Sequence, residues 1–203
     1  MTPQLMRLED APAQRWRNGG GSTRELLAWP STQAWQLRLS VADINADGPF
    51  SVFDGVQRWF VVLQGAGAML TVDGQDHRQR RADGPLHFDG AARTHCRLLD
   101  GPTRDLNLML RQLAGGLLPA VAGQAWQPPG QACGLFSRLP GRCHFSAAPG
   151  GLAAGQALPA MALCWFASAP ASLRWQPSAP GDIATPTLPQ AWWLWADTAA
   201  PPP

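Results

Sequence analysis

Trp35-Gln36-Leu37-Arg38-Leu39-Ser40-Val41 alternates apolar and polar side chains over seven consecutive positions. A period of two puts Trp35, Leu37, Leu39 and Val41 on one side of an extended backbone and Gln36, Arg38 and Ser40 on the other. The pattern returns at 105–110, where Leu106, Leu108 and Leu110 oppose Asp105, Asn107 and Met109. Between them, 58–63 begins with Arg58 and continues as an apolar run suited to a strand covered on both faces. Turn residues punctuate these segments. Asp47-Gly48-Pro49 closes the first, and Asp73-Gly74 follows the apolar stretch 68–72 as a hairpin signal. Short segments at 86–88 and 96–99 lie between Gly84-Pro85, Asp89-Gly90 and Asp100-Gly101-Pro102. Many short strands with Gly- and Pro-rich turns predict an all-β chain, a barrel or a sandwich.

The 203 residues allow one large domain or two small ones, with enough chain for a hydrophobic core. A hydrophobic share of 45% against 15% charged belongs to a globular protein. A formal net charge of +2 gives no reason to expect a nucleic acid or an anionic membrane as partner. Every basic side chain is Arg, so an anion site must be built from guanidiniums or backbone N–H groups. Residues 1–7 lack the apolar run of a signal peptide, and no stretch is apolar enough to span a bilayer. A cytoplasmic location is expected. Cys96, Cys133, Cys143 and Cys164 form no CxxC pair; in a reducing compartment they are expected to be buried free thiols rather than zinc ligands.

Charge thins after Arg111: from Gln112 onward only Arg138, Arg142, Arg174, Asp182 and Asp197 carry it. Residues 117–129 suggest an irregular connector. Short β-like stretches follow at 133–137, 143–145, 162–167, 173–175 and 191–196, each bounded by Gly or Pro. The predicted layout is a first barrel at 1–111, a connector at 112–130, a second, quieter barrel at 131–197 and a disordered tail at 198–203. Trp165, Trp175, Trp192, Trp193 and Trp195 would fill a core or an interface; exposed, they would make a docking surface.

The segment Trp16-Arg17-Asn18-Gly19-Gly20-Gly21-Ser22-Thr23-Arg24-Glu25-Leu26 carries three consecutive glycines. Their N–H groups could form an anion nest, but no Lys follows as in a Walker A loop. A tight structural loop is the favoured reading. Arg38 has two readings. It is a solvated surface side chain, or it points into a small-barrel cavity and needs a partner. That partner is Glu25 or Asp105, or a ligand carboxylate held bidentately, and the choice stays open. Arg58 is a second candidate cation, and Asn107 offers a donor and an acceptor on its strand's polar face. Among the histidines, His77 is expected to be exposed, and His87 and His95 could approach across adjacent strands. No HxH pair exists, and His144 gives little support for metal binding. Acid/base candidates are few, since Glu9 and Glu25 are the only glutamates and no GxSxG elbow occurs.

Taken in order, these pieces resemble the HutD/Ves family of bacterial proteins. The resemblance is carried by 16–21 with Thr23 and Glu25, by 38–43, by 47–51 with Phe53, Gly55 and Arg58, and by 63–67. It continues through 72–74, 85–90 and 99–102 to 105–109, and so covers roughly the first 110 residues. It implies a bicupin, two β-barrels of the cupin/jelly-roll type in one chain. It also implies a role in modulating histidine utilization through a bound intermediate such as formylglutamate; Ves-like members are tied instead to cold or stress response. Metal-binding cupins carry an HxHxxxxE cluster, whereas Ala66-Gly67-Ala68-Met69-Leu70-Thr71-Val72 holds no His or Glu. Neither a metal nor another cofactor is therefore expected.

The expected ligand-binding set is Asn18, Gly20, Thr23, Glu25, Arg38, Ser40, Arg58 and Asn107, receiving a small carboxylate without catalysis. The alternatives are a metal-independent enzyme on a small organic acid, with Glu25 or His87 as general base, and a Trp-rich interaction module. A homodimer is compatible with each.

Overall fold

The computed structural model describes residues 2–148, 154–178 and 188–197. The chain divides into two compact units. One is Ala11–Gln112. The other joins the residues up to Asp10 to those from Leu113 onward. The first strand, β1 (Gln4–Arg7), pairs with a strand of the later unit, followed by a single 3₁₀ turn at Leu8–Asp10. The first ten residues, expected with the first barrel, therefore belong to the second unit. Their few polar and apolar positions gave no sign of a partner more than 150 residues away.

The Ala11–Gln112 unit holds two sheets. The larger comprises β2 (Ala13–Arg15), β3 (Gly21–Trp29), β4 (Leu37–Ile44), β6 (Val56–Gln64), β9 (Leu86–Asp89) and β11 (Thr103–Arg111). Its order is β2-β3-β4-β11-β6-β9, so the two alternating segments lie side by side at its centre. The smaller sheet comprises β5 (Gly48–Pro49), β7 (Ala68–Val72), β8 (Gln75–Gln79) and β10 (Thr94–Leu98), in the order β5-β10-β7-β8. Asp73 and Gly74, both at positive φ, make the β7–β8 hairpin turn as predicted. Phe60, Val62 and Ile44 from the large sheet pack against Ala68, Leu70 and Cys96 from the small one. Leu37, Leu39, Leu106, Leu108 and Leu110, on the opposite face of the large sheet, are buried as well.

The second unit repeats the two-sheet plan. One sheet has the order β1-β17-β14-β19-β12, formed with β12 (Gly115–Pro119), β14 (Ala132–Ser137), β17 (Ala162–Phe166) and β19 (Ala191–Ala196). The other has the order β13-β18-β15-β16, from β13 (Ala125–Trp126), β15 (Gly141–Ser146), β16 (Ala154–Leu158) and β18 (Ser172–Pro177). The expected connector at 112–130 thus contains two strands; its glycines and prolines hid them. Trp165, Trp175, Trp192 and Trp193 are each at most 2% exposed. Trp126 stacks on Trp193 with centroids 4.8 Å apart. These four tryptophans are buried in the core, and Trp195, partly buried, packs against it. All four cysteines are buried and free.

Among the described residues the structure is all-β apart from the 3₁₀ turn, and hydrogen bonding leaves each sheet open rather than closing a barrel. Among the described residues no helix is long and apolar enough to cross a membrane. The predicted tail at 198–203 and Asp182 lie outside the described residues.

Candidate functional site

A cavity of about 600 Å³ opens in the Ala11–Gln112 unit. Its floor is the polar face of the large sheet. Strand register lays this face out in rows across β4, β11 and β6: Arg38–Met109–Arg58, then Ser40–Asn107–Phe60, then Ala42–Asp105–Val62. On β3, Thr23 lies beside Ala42 and Glu25 beside Ser40. The side chains that alternation set opposite the leucines therefore line a cavity, and both faces of β4 and β11 are covered. The opposing wall is the segment with Phe50, Ser51 and Phe53, and residues 14–18 form the mouth.

Arg58 is 6% exposed. Its guanidinium carbon lies 5.2, 5.8 and 5.1 Å from the ring centres of Phe50, Phe53 and Phe88. The negative faces of these rings offset part of the lost hydration. Nη1 donates to the Ser51 carbonyl at 3.4 Å, a long bond. Burial brings the Arg58 pKa down to about 10, with Asp105 opposing that drop and Arg38 adding to it. Arg38 is half-buried, and its Nε lies 3.1 Å from Glu25 Oε2. That contact is an ion pair by distance but is not aligned as a hydrogen bond, since Nε is without a hydrogen-bond partner.

Asp105 is fully buried on the cavity floor. Burial pushes its pKa up to about 7; Arg58 and a hydrogen bond from Asn107 pull it down, and Asp43 pushes it further up. Among the described residues, seven buried side-chain polar atoms lack a hydrogen-bond partner. Four of them, Arg38 Nε, Arg58 Nε, Asp105 Oδ2 and Asn107 Oδ1, belong to residues lining this one cavity. Buried polar atoms are nearly always satisfied, so two donors and two acceptors left open together mark a place for a polar guest.

The triple-glycine segment builds the mouth. The Trp16 indole N–H donates to Thr23 Oγ1 at 2.8 Å. Gly19 takes φ +71°, and its N–H donates to the Trp16 carbonyl at 3.0 Å. The Gly20 N–H donates to Asn18 Oδ1 at 3.0 Å. These two N–H groups are spent within the loop, so it is a tight structural turn and not an anion nest. A Cβ on Gly21 would lie 2.3 Å from the Asp43 carbonyl oxygen and 3.0 Å from the Trp16 ring. Only glycine fits between that carbonyl and the indole without a shift of the backbone.

Of the expected set, Asn18, Thr23, Arg38, Ser40, Arg58 and Asn107 line the cavity. Gly20 and Glu25 do not; they hold the loop and Arg38 respectively. His87 is exposed on β9, with Nε2 2.8 Å from Gln57 Oε1 and its ring stacked 4.3 Å from Trp59. It is away from the cavity. His95 lies on β10 in the other sheet, so the expected approach of His87 and His95 across adjacent strands does not occur. Sequence reasoning weighed Asp105 only as an ion-pair partner of Arg38 and passed over Met109, although both alternate with Asn107. Arg17, Phe50 and Phe53 lay in the segments that carry the family resemblance but were not singled out as site residues, and Arg15, at the end of β2, gave no signal.

Four arginines line the cavity and its mouth against one lining carboxylate, which favours an anionic guest. Four guanidiniums, three amides, one thioether and one carboxyl are a poor donor set for a metal ion. Among the described residues no group of three or more His, Cys, Asp or Glu could hold one.

Comparison with known proteins agrees with this architecture. The chain is 27% identical, with TM-score 0.80, to a solved structure of a conserved protein from Pseudomonas aeruginosa, covering 98% of this chain and 100% of the other. It is 26% identical, with TM-score 0.81 and the same coverage, to HutD from Pseudomonas fluorescens, solved in a formate condition. At 9% identity and TM-score 0.64, Bacillus subtilis oxalate decarboxylase shares the cupin-type fold and no more. In sequence, a 21.2 kDa protein from the hutC 3' region of Pseudomonas putida is 43% identical over 108 residues, 52% of this chain and 57% of the relative. Protein Ves of Citrobacter koseri is 38% identical over 104 residues, 50% and 54% of the two chains. The matched segment thus spans little more than half the length of these curated relatives. The HutD family profile matches residues 8–124, which include the unit that holds the cavity. The chain belongs to the HutD family.

Proposed function

We propose that this chain is a cytoplasmic, non-enzymatic small-molecule-binding protein that modulates histidine utilization, the role implied by its membership of the HutD family. In this reading it is a bicupin whose N-terminal cavity takes a small carboxylate such as formylglutamate. One observation carries the proposal: four buried polar atoms without hydrogen-bond partners, one of them the Arg38 Nε that Glu25 approaches as an ion pair, belong to residues lining a cavity rich in arginine. A carboxylate accepts from Arg38 Nε and Arg58 Nε, and a polar group at its other end meets Asn107 Oδ1. Charge-assisted bonds of this kind are strong where water is excluded.

The test is titration calorimetry and thermal shift with formylglutamate, urocanate, glutamate and formate. At least one should bind and raise the melting temperature. Absence of heat and of shift with all four rejects the carboxylate reading.

A second reading, a metal-independent cupin enzyme on a small organic acid, has one specific support. Asp105 is a buried cavity carboxyl with a pKa near neutrality, as a general acid or base requires. Glu25, engaged with Arg38, and His87, outside the cavity, are less suited. Turnover of one of the four compounds, abolished by Asp105→Asn, would favour the enzyme.

A further inference from the structure

Asp105 lies on the floor of the cavity among the groups that would hold a carboxylate, yet it is itself a carboxyl. It is 1% exposed, and its Oδ2 has no partner. Among the described residues it closes no ion pair within 4.0 Å; the pairs present are Arg7–Glu9, Arg38–Glu25 and Arg104–Asp43. Arg58 and Asp105 share the cavity without joining. An anion bound to Arg58 and Arg38 therefore brings a second negative charge beside the buried carboxyl of Asp105 on the cavity floor.

Two carboxylates confined together do not both stay ionised; they share a proton. We propose that Asp105 is the proton-carrying contact of the site: it binds the guest carboxylate as a neutral acid, donating its O–H to a guest oxygen, so that each anion enters with one proton. This rests on the carboxylate reading and adds a property to it. Protonated Asp105 is a donor, so the pocket gains a third donor for an anion. It also selects against cations, which would need Asp105 ionised.

The groups around Asp105 support this direction. Arg58 on β6 favours the ionised form of Asp105, and an anion bound to Arg58 offsets that help; Arg38 on β4 acts on Arg58, whose pKa it lowers. On β4, Asp43 adds negative charge, but Arg104 holds it bidentately at 2.6 and 3.1 Å. On β3, Glu25 is taken by Arg38. On β10, the buried Cys96 thiol is pushed up to about 12 by burial, with Asp105 and Asp47 adding to it, and stays neutral. Arg15 and Arg17 stand at the exposed mouth, where solvent screens them. A pKa near 7 leaves Asp105 ready to take up the proton at neutral pH.

The experiment is calorimetry on the full chain with sodium formate and N-formylglutamate as probes. It is run at about pH 8 in two buffers of different ionisation enthalpy. The expected result is uptake of close to one proton per probe bound. Affinity should fall about tenfold per pH unit above neutrality. Asp105→Asn keeps the shape of the neutral acid and should flatten that pH dependence, whatever its absolute affinity; a thermal melt checks its fold. If the variant does not fold, the buffer comparison on the native chain still decides. Binding with heat independent of buffer, or with proton release, overturns the inference and leaves carboxylate binding standing. Failure of both probes to bind at any pH between about 5.5 and 9 overturns both.

Discussion

Arg58 is a cation surrounded by three phenylalanine rings and one long hydrogen bond. An arrangement of that kind loses most of the hydration of the guanidinium and recovers only part of it, which suits a group kept for an incoming anion. Arg58→Met keeps much of the volume and removes the charge. Carboxylate binding should weaken by about 2–5 kcal/mol in a calorimetric titration. Asp105 loses its main opposing cation in the same variant, so its carboxyl should titrate higher than in the native chain when followed by carbon NMR. Gly21 is constrained by contact: its missing Cβ leaves room for the Asp43 carbonyl and the Trp16 ring. Gly21→Ala should cost about 1–3 kcal/mol in denaturant unfolding, the usual cost of overpacking.

At the scale of the strand, β4 and β11 decide the site. Their registers align Arg38 with Met109 and Ser40 with Asn107, so two alternating strands merge their polar faces into one floor. In β3 a register shift between Glu25 and Leu27 marks a bulge, the kind of irregularity that re-aims a side chain. Glu25 then meets Arg38, and one predicted ligand becomes the support of another. A polar floor under a cavity costs stability, because Asn107 Oδ1 is buried without a partner. Asn107→Leu should therefore lower the unfolding free energy by no more than about 1 kcal/mol, while weakening carboxylate binding at least about tenfold. Comparing thermal melts with titrations separates the two effects.

The whole molecule inherits the protonation of Asp105. Its native pKa of about 7 lies above its ordinary value of 3.8, so between those values the folded chain keeps a proton that the unfolded chain releases. That contribution to stability is fully present at acid pH and is lost as pH rises through the window, by up to roughly 4 kcal/mol. Urea midpoints measured from acid to neutral pH should fall in the native chain and stay flatter in Asp105→Asn. At the same scale the second unit is a tryptophan-filled core. Trp193→Ala, emptying the site where Trp126 stacks, should cost about 3–5 kcal/mol in the same assay.

The sequence by itself determined the all-β class, the central strands, the β7–β8 turn and most of the later strands, because period two and turn chemistry are local properties. It also named six of the residues that line the cavity. Tertiary structure decided which way their face points: alternation separates two faces, and what covers each is set by segments distant in the chain. The phenylalanine wall around Arg58, the pairing of Glu25 with Arg38 and the joining of β1 to β17 are all of that kind. The ionisation of Asp105 is the clearest case. A carboxyl in a sequence has an ordinary pKa, and only its burial in the folded chain moves this one to the range where a guest and a proton can arrive together.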